Sequence, residues 1–396
     1  MIPFGWIEKQ LGEIGVVGAG NSAPQGDENF TGGVYPFFRT ADVGRVHFGI
    51  INNSVDLLNE KGKTGLKLFK KGTILFPKSG ASTFLNHRVM MDVDGFVVSH
   101  LATITPNENI ISGKYLLYYL STIDSKTLIQ DQNYPSLNLP IISSINVKFP
   151  EDIEEQQRIV EKLDTLFADI EKEKQIAQQN LQNAKELFES ELNKIVIKND
   201  KNWTKKKLND VCVVERGSSP RPIKNFVTTD ENGVNWIRIG DCSEKYVNST
   251  SQKITPDGAK KSRFVNVGDF IISNSMSYGK PYILNINGCI HDGWFVLRLD
   301  KTLVDTDYFY YLLSSPFVKE QYDSLATGAI VQNISSDLIK KVQFCLPPLS
   351  EQQTIVQQIN VLHKQTQELE QIYTQQIADL DELKQAILKK VFNGEL

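Results

Sequence analysis

The chain has 396 residues, 40% hydrophobic and 23% charged, ordinary globular usage that excludes a disordered tail, a collagen-like fibre and a disulfide-dense miniprotein. Its formal net charge of −4 averages unlike parts: residues 1–150 carry +1, 151–197 carry −6, 198–349 carry +4 and 350–396 carry −3. No run approaches the roughly 18 apolar residues of a membrane span, and the opening Met-Ile-Pro-Phe-Gly-Trp lacks a basic n-region and an apolar h-region, so a cytoplasmic chain without a signal peptide is expected.

In chain order, residues 1–150 read as a mixed α/β globule. Short apolar runs at 72–76 and 96–98 are bounded by Gly, Pro, Asn and Ser, as strands between turns are. A helix is expected at 113–122. Residues 151–197 then carry no Gly or Pro after Pro150, and Ile159, Leu163, Leu166, Ile170, Ala177, Ala184 and Leu187 repeat at helical spacing. A second mixed globule, 198–349, shows an apolar run at 269–272 and a helix pattern at 305–313. The last segment, 350–396, is again free of Gly and Pro until Gly394. There Ile355, Ile359, Leu362, Leu369, Tyr373, Leu380, Leu383 and Ile387 alternate three and four apart, with Thr366 and Gln376 as polar interruptions. This is the a/d seam of a coiled coil.

These segments are two copies of one unit. Trp6-x4-Leu11 with Val16-Val17 aligns with Trp203-x4-Leu208 with Val213-Val214. Gly20-Asn-Ser22 aligns with Gly217-Ser-Ser219, and Phe38-Arg39 to Asp42 with Ile237-Arg238 to Asp241. Tyr115 to Ser121 aligns with Tyr308 to Ser314, and Glu155-Gln156-Gln157-Arg-Ile159-Val160 with Glu351-Gln352-Gln353-Thr-Ile355-Val356. The expected fold is therefore α+β: two homologous mixed α/β globules separated by two long helices that pair as an antiparallel coiled coil, a pseudo-twofold internal repeat. Each helix of forty-odd residues would be a rod of about 65 Å. A duplicated reader on a fixed spacer suits a two-part target on B-DNA, whose groove faces recur once per turn.

Catalytic and cofactor patterns are missing from the sequence. Gly15-Val-Val-Gly18-Ala-Gly20 is a weak dinucleotide-loop likeness: its second copy lacks the first two glycines, and Pro24 follows. Gly62-Lys63-Thr64 lacks the leading glycine of a phosphate loop. Cys212, Cys242, Cys289 and Cys345 have no metal-ligand spacing and read as thiols of a reducing compartment. Asp92 and Asp94 read as a solvated pair. The chain is expected to be no enzyme and to need no cofactor or metal.

Polar loops at matched positions are the positive signal. In the first globule they offer Ser22, Arg39, Lys78, Ser79, His87, Arg88, Asn133 and Tyr134. In the second they offer Ser219, Arg221, Lys224, Arg238, Asn274, Tyr278, Lys280, Gln332 and Asn333. Arg bridges guanine O6/N7 and Asn or Gln bridges adenine N6/N7, while Lys and Ser more often hold phosphates. Taken singly, each also reads as a turn, a cap or ordinary surface. Arg39 and Arg238 have a structural alternative, an ion pair with Asp42 or Asp241.

The sequence resembles the specificity subunit of type I restriction–modification enzymes. The resemblance rests on Pro347-Pro348-Leu349-Ser350-Glu351-Gln352-Gln353-Thr-Ile355-Val356 with its long helix and terminal Gly394-Glu-Leu396. It rests also on the degenerate copy from Pro150 to Ile159 and the Trp-x4-Leu openings, and it covers essentially the whole chain. The first copy departs in having one proline, and Glu154 where the second has Ser350. The resemblance implies that each globule is a target recognition domain reading one half of a bipartite double-stranded DNA site. The paired helices would act as ruler and as dock for two methyltransferase subunits that carry the adenine chemistry, with restriction/translocase subunits able to join them and no membrane involved. The competing readings are a non-catalytic structural adaptor joining two protein partners, which explains the architecture but not the basic bias of 198–349, and a self-contained DNA enzyme, which the missing motifs disfavour.

Overall fold

The computed structural model describes residues 4–129, 135–198, 200–274, 279–326 and 335–395. The chain forms two compact units. One comprises residues 1–177 and 375–396, the other residues 178–374. Both long helices are present, Ile153–Ile197 and Leu349–Phe392, and each contributes one half to each unit.

In the first unit a five-stranded sheet runs in the order Gly15–Ala19, Leu101–Pro106, Ile74–Pro77, Arg88–Met91, Phe48–Ile51. Its neighbours pair antiparallel except for the last, parallel pair. A three-stranded sheet, Asp56–Leu58, Tyr35–Phe38 and Phe96–Val97, stands beside it. The opening strand Trp6–Gln10 pairs antiparallel with Asn146–Pro150, the strand that feeds the first long helix. The second unit repeats the plan. Its sheet runs Cys212–Arg216, Trp294–Leu299, Phe270–Ser273, Pro281–Leu284, Tyr246–Val247, again with one parallel edge pair. Thr204–Lys207 pairs with Gln343–Leu346 ahead of the second long helix. The duplication read in the sequence is thus a duplication of strand order. The expected helices at 113–122 and 305–313 are Gly113–Ser121 and Thr306–Ser314, and the ends of the expected strands lie within two residues of their apolar runs.

Each unit buries a core that joins its large sheet to its share of the long helices. In the first unit Ile74, Phe76 and Ile104 pack with Leu163, Phe167, Leu388 and Phe392. The Phe392 ring meets Tyr115 and Tyr119 at 5.3 and 5.1 Å, edge to face. The helix stretches there run antiparallel: Lys384 Nζ lies 5.0 Å from the Phe167 ring, and farther along Lys174 Nζ bonds both Asp381 carboxylate oxygens at 2.7 and 2.8 Å. In the second unit Leu192, Val196, Ile355, Val356 and Ile359 join Phe270, Phe309 and Phe344, and Phe188 meets the His363 ring at 4.8 Å.

The helix seams differ from the expected register at three positions. Leu187, Leu369 and Leu383 are exposed, while Phe188, Glu370 and Lys384 turn inward. The inward positions follow a seven-residue step from His363 through Glu370, Ile377 and Lys384 to Val391, and a long charged side chain fills one by laying its aliphatic stem along the apolar surface. Thr366 is buried, and its hydroxyl donates back to the carbonyls of Leu362 and His363.

The paired Glu-Gln-Gln motifs have a shared job. Gln156 Oε1 accepts from Ser112 N at 2.8 Å, and its Nε2 donates to the carbonyls of Pro150 and Ile110 at 2.8 and 3.1 Å. Gln352 does the same with Asp305 N, Pro347 O and Leu303 O at 2.8, 2.9 and 3.0 Å. Both side chains are fully buried. In each unit one amide ties the start of a long helix to the strand before it and to the start of the aromatic-rich helix beside it.

Candidate nucleic-acid interface

Strand register brings most of the proposed loops to one end of each large sheet. In the first unit Ala19 pairs with Ala102, and Phe76 pairs with the same residue from the other side. The segments that follow, with Ser22 on one and Lys78 and Ser79 on the other, therefore leave the sheet side by side. The connection from Ile74–Pro77 to Arg88–Met91 also carries His87. Arg39 follows Phe38, whose carbonyl accepts from Val98 N at 2.9 Å, and Val98 bridges Asn21. The second unit matches. Arg216 and Ile272 both pair with Phe295, so the loops bearing Ser219, Arg221 and Asn274 converge, and Arg238 follows Ile237 beside Ile290.

Glycine at the start of this loop is required by space. A Cβ on Gly20 would lie 2.2 Å from the Val98 carbonyl oxygen, and one on Gly217 would lie 2.0 Å from that of His291. The Gly15-to-Gly20 run is strand followed by this close approach, not a cofactor loop.

The loops are anchored differently in the two units. In the first, Asn21 Nδ2 donates to Lys67 O at 2.9 Å and its Oδ1 accepts from Lys67 N at 2.8 Å. In the second, Asp292 is the anchor, a residue the sequence reading missed. Its carboxylate accepts from Ser219 Oγ at 2.6 Å and Arg221 Nη2 at 3.0 Å, and its backbone carbonyl accepts from Asn274 Nδ2 at 2.9 Å. The Ser219 hydroxyl holds the Asp292 carboxyl below the usual carboxylate range, against the opposing effect of burial. Asn274 is buried and serves this anchor. Next to it, burial lowers the His291 imidazole, which sits 6.2 Å from the Trp236 ring and 6.0 Å from Trp294.

Arg88, offered by the sequence as a DNA contact, lies in the core of the first unit. Its side chain is fully buried, with its guanidinium 3.4 Å from the Phe76 ring centroid, Nη1 donating to His87 O and Nη2 to Ser125 Oγ, both at 2.8 Å. Burial pushes it down to about 9. A guanidinium so enclosed has no path to a phosphate or base without opening the core. Arg39 is half-buried, ion-paired with Asp56 and lying against Phe30 and Phe37. It leaves the Asp42 carboxylate to Arg45 and donates only its backbone N–H there. Arg238 donates to Ser251 Oγ at 2.6 Å and reaches Asp241 at 3.9 Å. His87 stacks on His47 at 4.7 Å. Lys224 and Lys280 are exposed, Lys280 lying over the Tyr282 ring at 5.3 Å. Ser22 is exposed; Lys78 and Ser79 are half-buried. Asn133, Tyr134, Tyr278, Gln332 and Asn333 lie outside the described residues. Asp92 and Asp94 pair with Lys71 and Lys70 at 2.6 and 2.8 Å, and no disulfide joins the cysteines.

The sequence matches the family described as the type I restriction modification DNA specificity domain twice, over residues 3–179 and 200–378. The chain belongs to this family. Its relatives include the type I restriction enzyme MjaIX specificity subunit of Methanocaldococcus jannaschii, 23% identical over all of this chain and 94% of the relative. The EcoDI specificity subunit of Escherichia coli is 22% identical over all of this chain and 89% of that one. Among solved structures, a chain from a study of assembly and conformational transition of the type I restriction–modification system superposes with a TM-score of 0.78 at 20% identity, both chains fully covered. The HsdS subunit of Thermoanaerobacter tengcongensis superposes with a TM-score of 0.60 at 20% identity, over all of this chain and 98% of that one. The specificity subunit is the non-catalytic component of such systems. Among the described residues of this specificity subunit no helix is long and apolar enough to cross a membrane.

Proposed function

We propose that this specificity subunit reads a bipartite double-stranded DNA site, one half with each unit's converging loops, while the paired helices set the spacing and dock two modification subunits. The observation that carries this reading is the repeated sheet end. The same strand order brings the same three loops together twice, but the side chains and anchors on those loops differ. A shared frame with unlike surfaces suits two different half-sites. The charge distribution agrees: the two globules, 1–150 and 198–349, carry the positive excess and the helices the negative, so the helices suit protein partners better than phosphates. The recognition segments would be 1–150 and 198–349, the spacer segments 151–197 and 350–396. The modification subunits would supply adenine methylation, restriction/translocase subunits would join the same assembly, and the work would be done in the cytoplasm.

The test is methylation mapping at single-base resolution in a heterologous cell carrying this chain with its modification subunit, compared with a chain whose residues 198–349 are exchanged for those of another specificity subunit. Methylated adenines in a gapped two-part motif, one half changed by the exchange, are expected. An absent motif, or one unchanged by the exchange, overturns the proposal.

A further inference from the structure

Arg221 is an arginine with one end fixed. Asp292 Oδ2 accepts from its Nη2 at 3.0 Å, Ser219 Oγ occupies the other carboxylate oxygen at 2.6 Å, and Asn274 and Arg216 hold the Asp292 backbone carbonyl at 2.9 and 3.3 Å. The acid is therefore immobilised from both its side chain and its main chain. The Arg221 side chain nevertheless remains 80% exposed.

Such a pair is a poor phosphate ligand. Its charges cancel, so it adds little to the counterion release that drives backbone binding. Its hydrogen-bond directions survive, because one carboxylate contact leaves most of the five guanidinium donors free. A held, exposed, neutralised fork is suited to a partner that rewards direction over charge, and two adjacent acceptors on a base edge are that partner. The first unit has no counterpart: by strand alignment Pro24 stands in place of Arg221 and Ser99 in place of Asp292.

We propose that Arg221, positioned by Asp292, reads a guanine through O6 and N7 in the major groove of the half-site met by the second unit. This rests on the DNA-reading function proposed above. Asp292 acts through Arg221, so it is a positioning residue.

The experiment uses the full chain co-expressed with its modification subunits. The wild-type methylation motif is mapped first; no motif there defeats the DNA-reading function itself, separately from this assignment. Arg221→Lys, Arg221→Gln and Asp292→Asn are then mapped, and the purified complexes are competed with duplexes changed one base pair at a time. The expected result is loss of preference at a single guanine, on the order of 10- to 100-fold for the Arg221 variants. Asp292→Asn should give a smaller loss at the same position, with every position of the other half-site unchanged. The competition assay gives the same readout for a variant that methylates too slowly to map. A uniform weakening across all duplexes would make Arg221 a phosphate contact and overturn the assignment. So would an unchanged motif, or relaxation at a base pair without guanine.

Discussion

Gln352 Oε1 accepts a hydrogen bond from the backbone N–H of Asp305 at 2.8 Å, joining the first turn of the second long helix to the N-cap of the helix Thr306–Ser314. The other end of the same amide donates to two carbonyls, so every polar atom of this buried side chain is used in a directional way. Gln352→Ala should lower stability by about 3 kcal/mol, because it empties a buried site and strands the three backbone groups that this side chain serves, the Pro347 carbonyl among them buried. Gln352→Glu should be comparably damaging although it changes one atom. Its new oxygen would face the Leu303 and Pro347 carbonyls, which need a donor. Thermal unfolding of the two variants checks this. A Gln352→Glu protein as stable as wild type would show that the amide is not holding the junction.

Arg88 lies on a loop that the sequence offers to DNA, yet its side chain is fully buried. Replacing it with alanine should lower the melting temperature, by about 3 kcal/mol in stability, since it leaves a cavity over Phe76 and removes the donor to Ser125. The methylated motif should not change. The opposite result, an altered motif at unaltered melting temperature, would return Arg88 to the DNA surface.

The architecture was legible in the sequence because forty-odd residues without Gly or Pro leave little alternative to helix, and because two copies repeat the punctuation. The site was less so, and particular residues show why. Arg88 sits in a polar stretch, and nothing local reveals that Phe76 covers it. Asp292 is a lone acid between His291 and Gly293. Its signal lay only in a difference between the copies, where the first has Ser99. The apolar spacing puts Leu369 and Leu383 on the seam, yet Glu370 and Lys384 hold the inward positions. Burial depends on three-dimensional phase, which a one-residue choice between adjacent side chains does not fix.

His291 gives the second unit a pH response. Burial keeps its imidazole below the ordinary 6.5, with Asp292 opposing and Arg238 assisting, and its Nδ1 accepts from Gly293 N at 2.9 Å. The unfolded chain binds this proton more tightly than the folded one. Stability from this group is therefore complete above pH 6.5 and falls as the pH drops below it. Melting temperatures measured from pH 7.5 to 5.5 should decline in the wild type and decline less in His291→Gln. Equal slopes would assign the acid sensitivity elsewhere, His87 being the other imidazole lowered by burial.

The long helices offer the clearest test of a ruler. They enter both units and are held in each by contacts local to that unit, Lys174 with Asp381 in one and Phe188 with His363 in the other. Added length in the middle of both helices should leave the two sheet ends, and hence the two half-sites, untouched. Four residues inserted into each helix with the seam preserved lengthen it by roughly 6 Å. That is about two base-pair steps of B-DNA, taking roughly 10 base pairs per 34 Å turn. Methylation mapping should therefore find the same half-sites separated by a longer gap. Altered half-sites with the original gap would mean that the helices hold the readers in shape without measuring the distance between their targets.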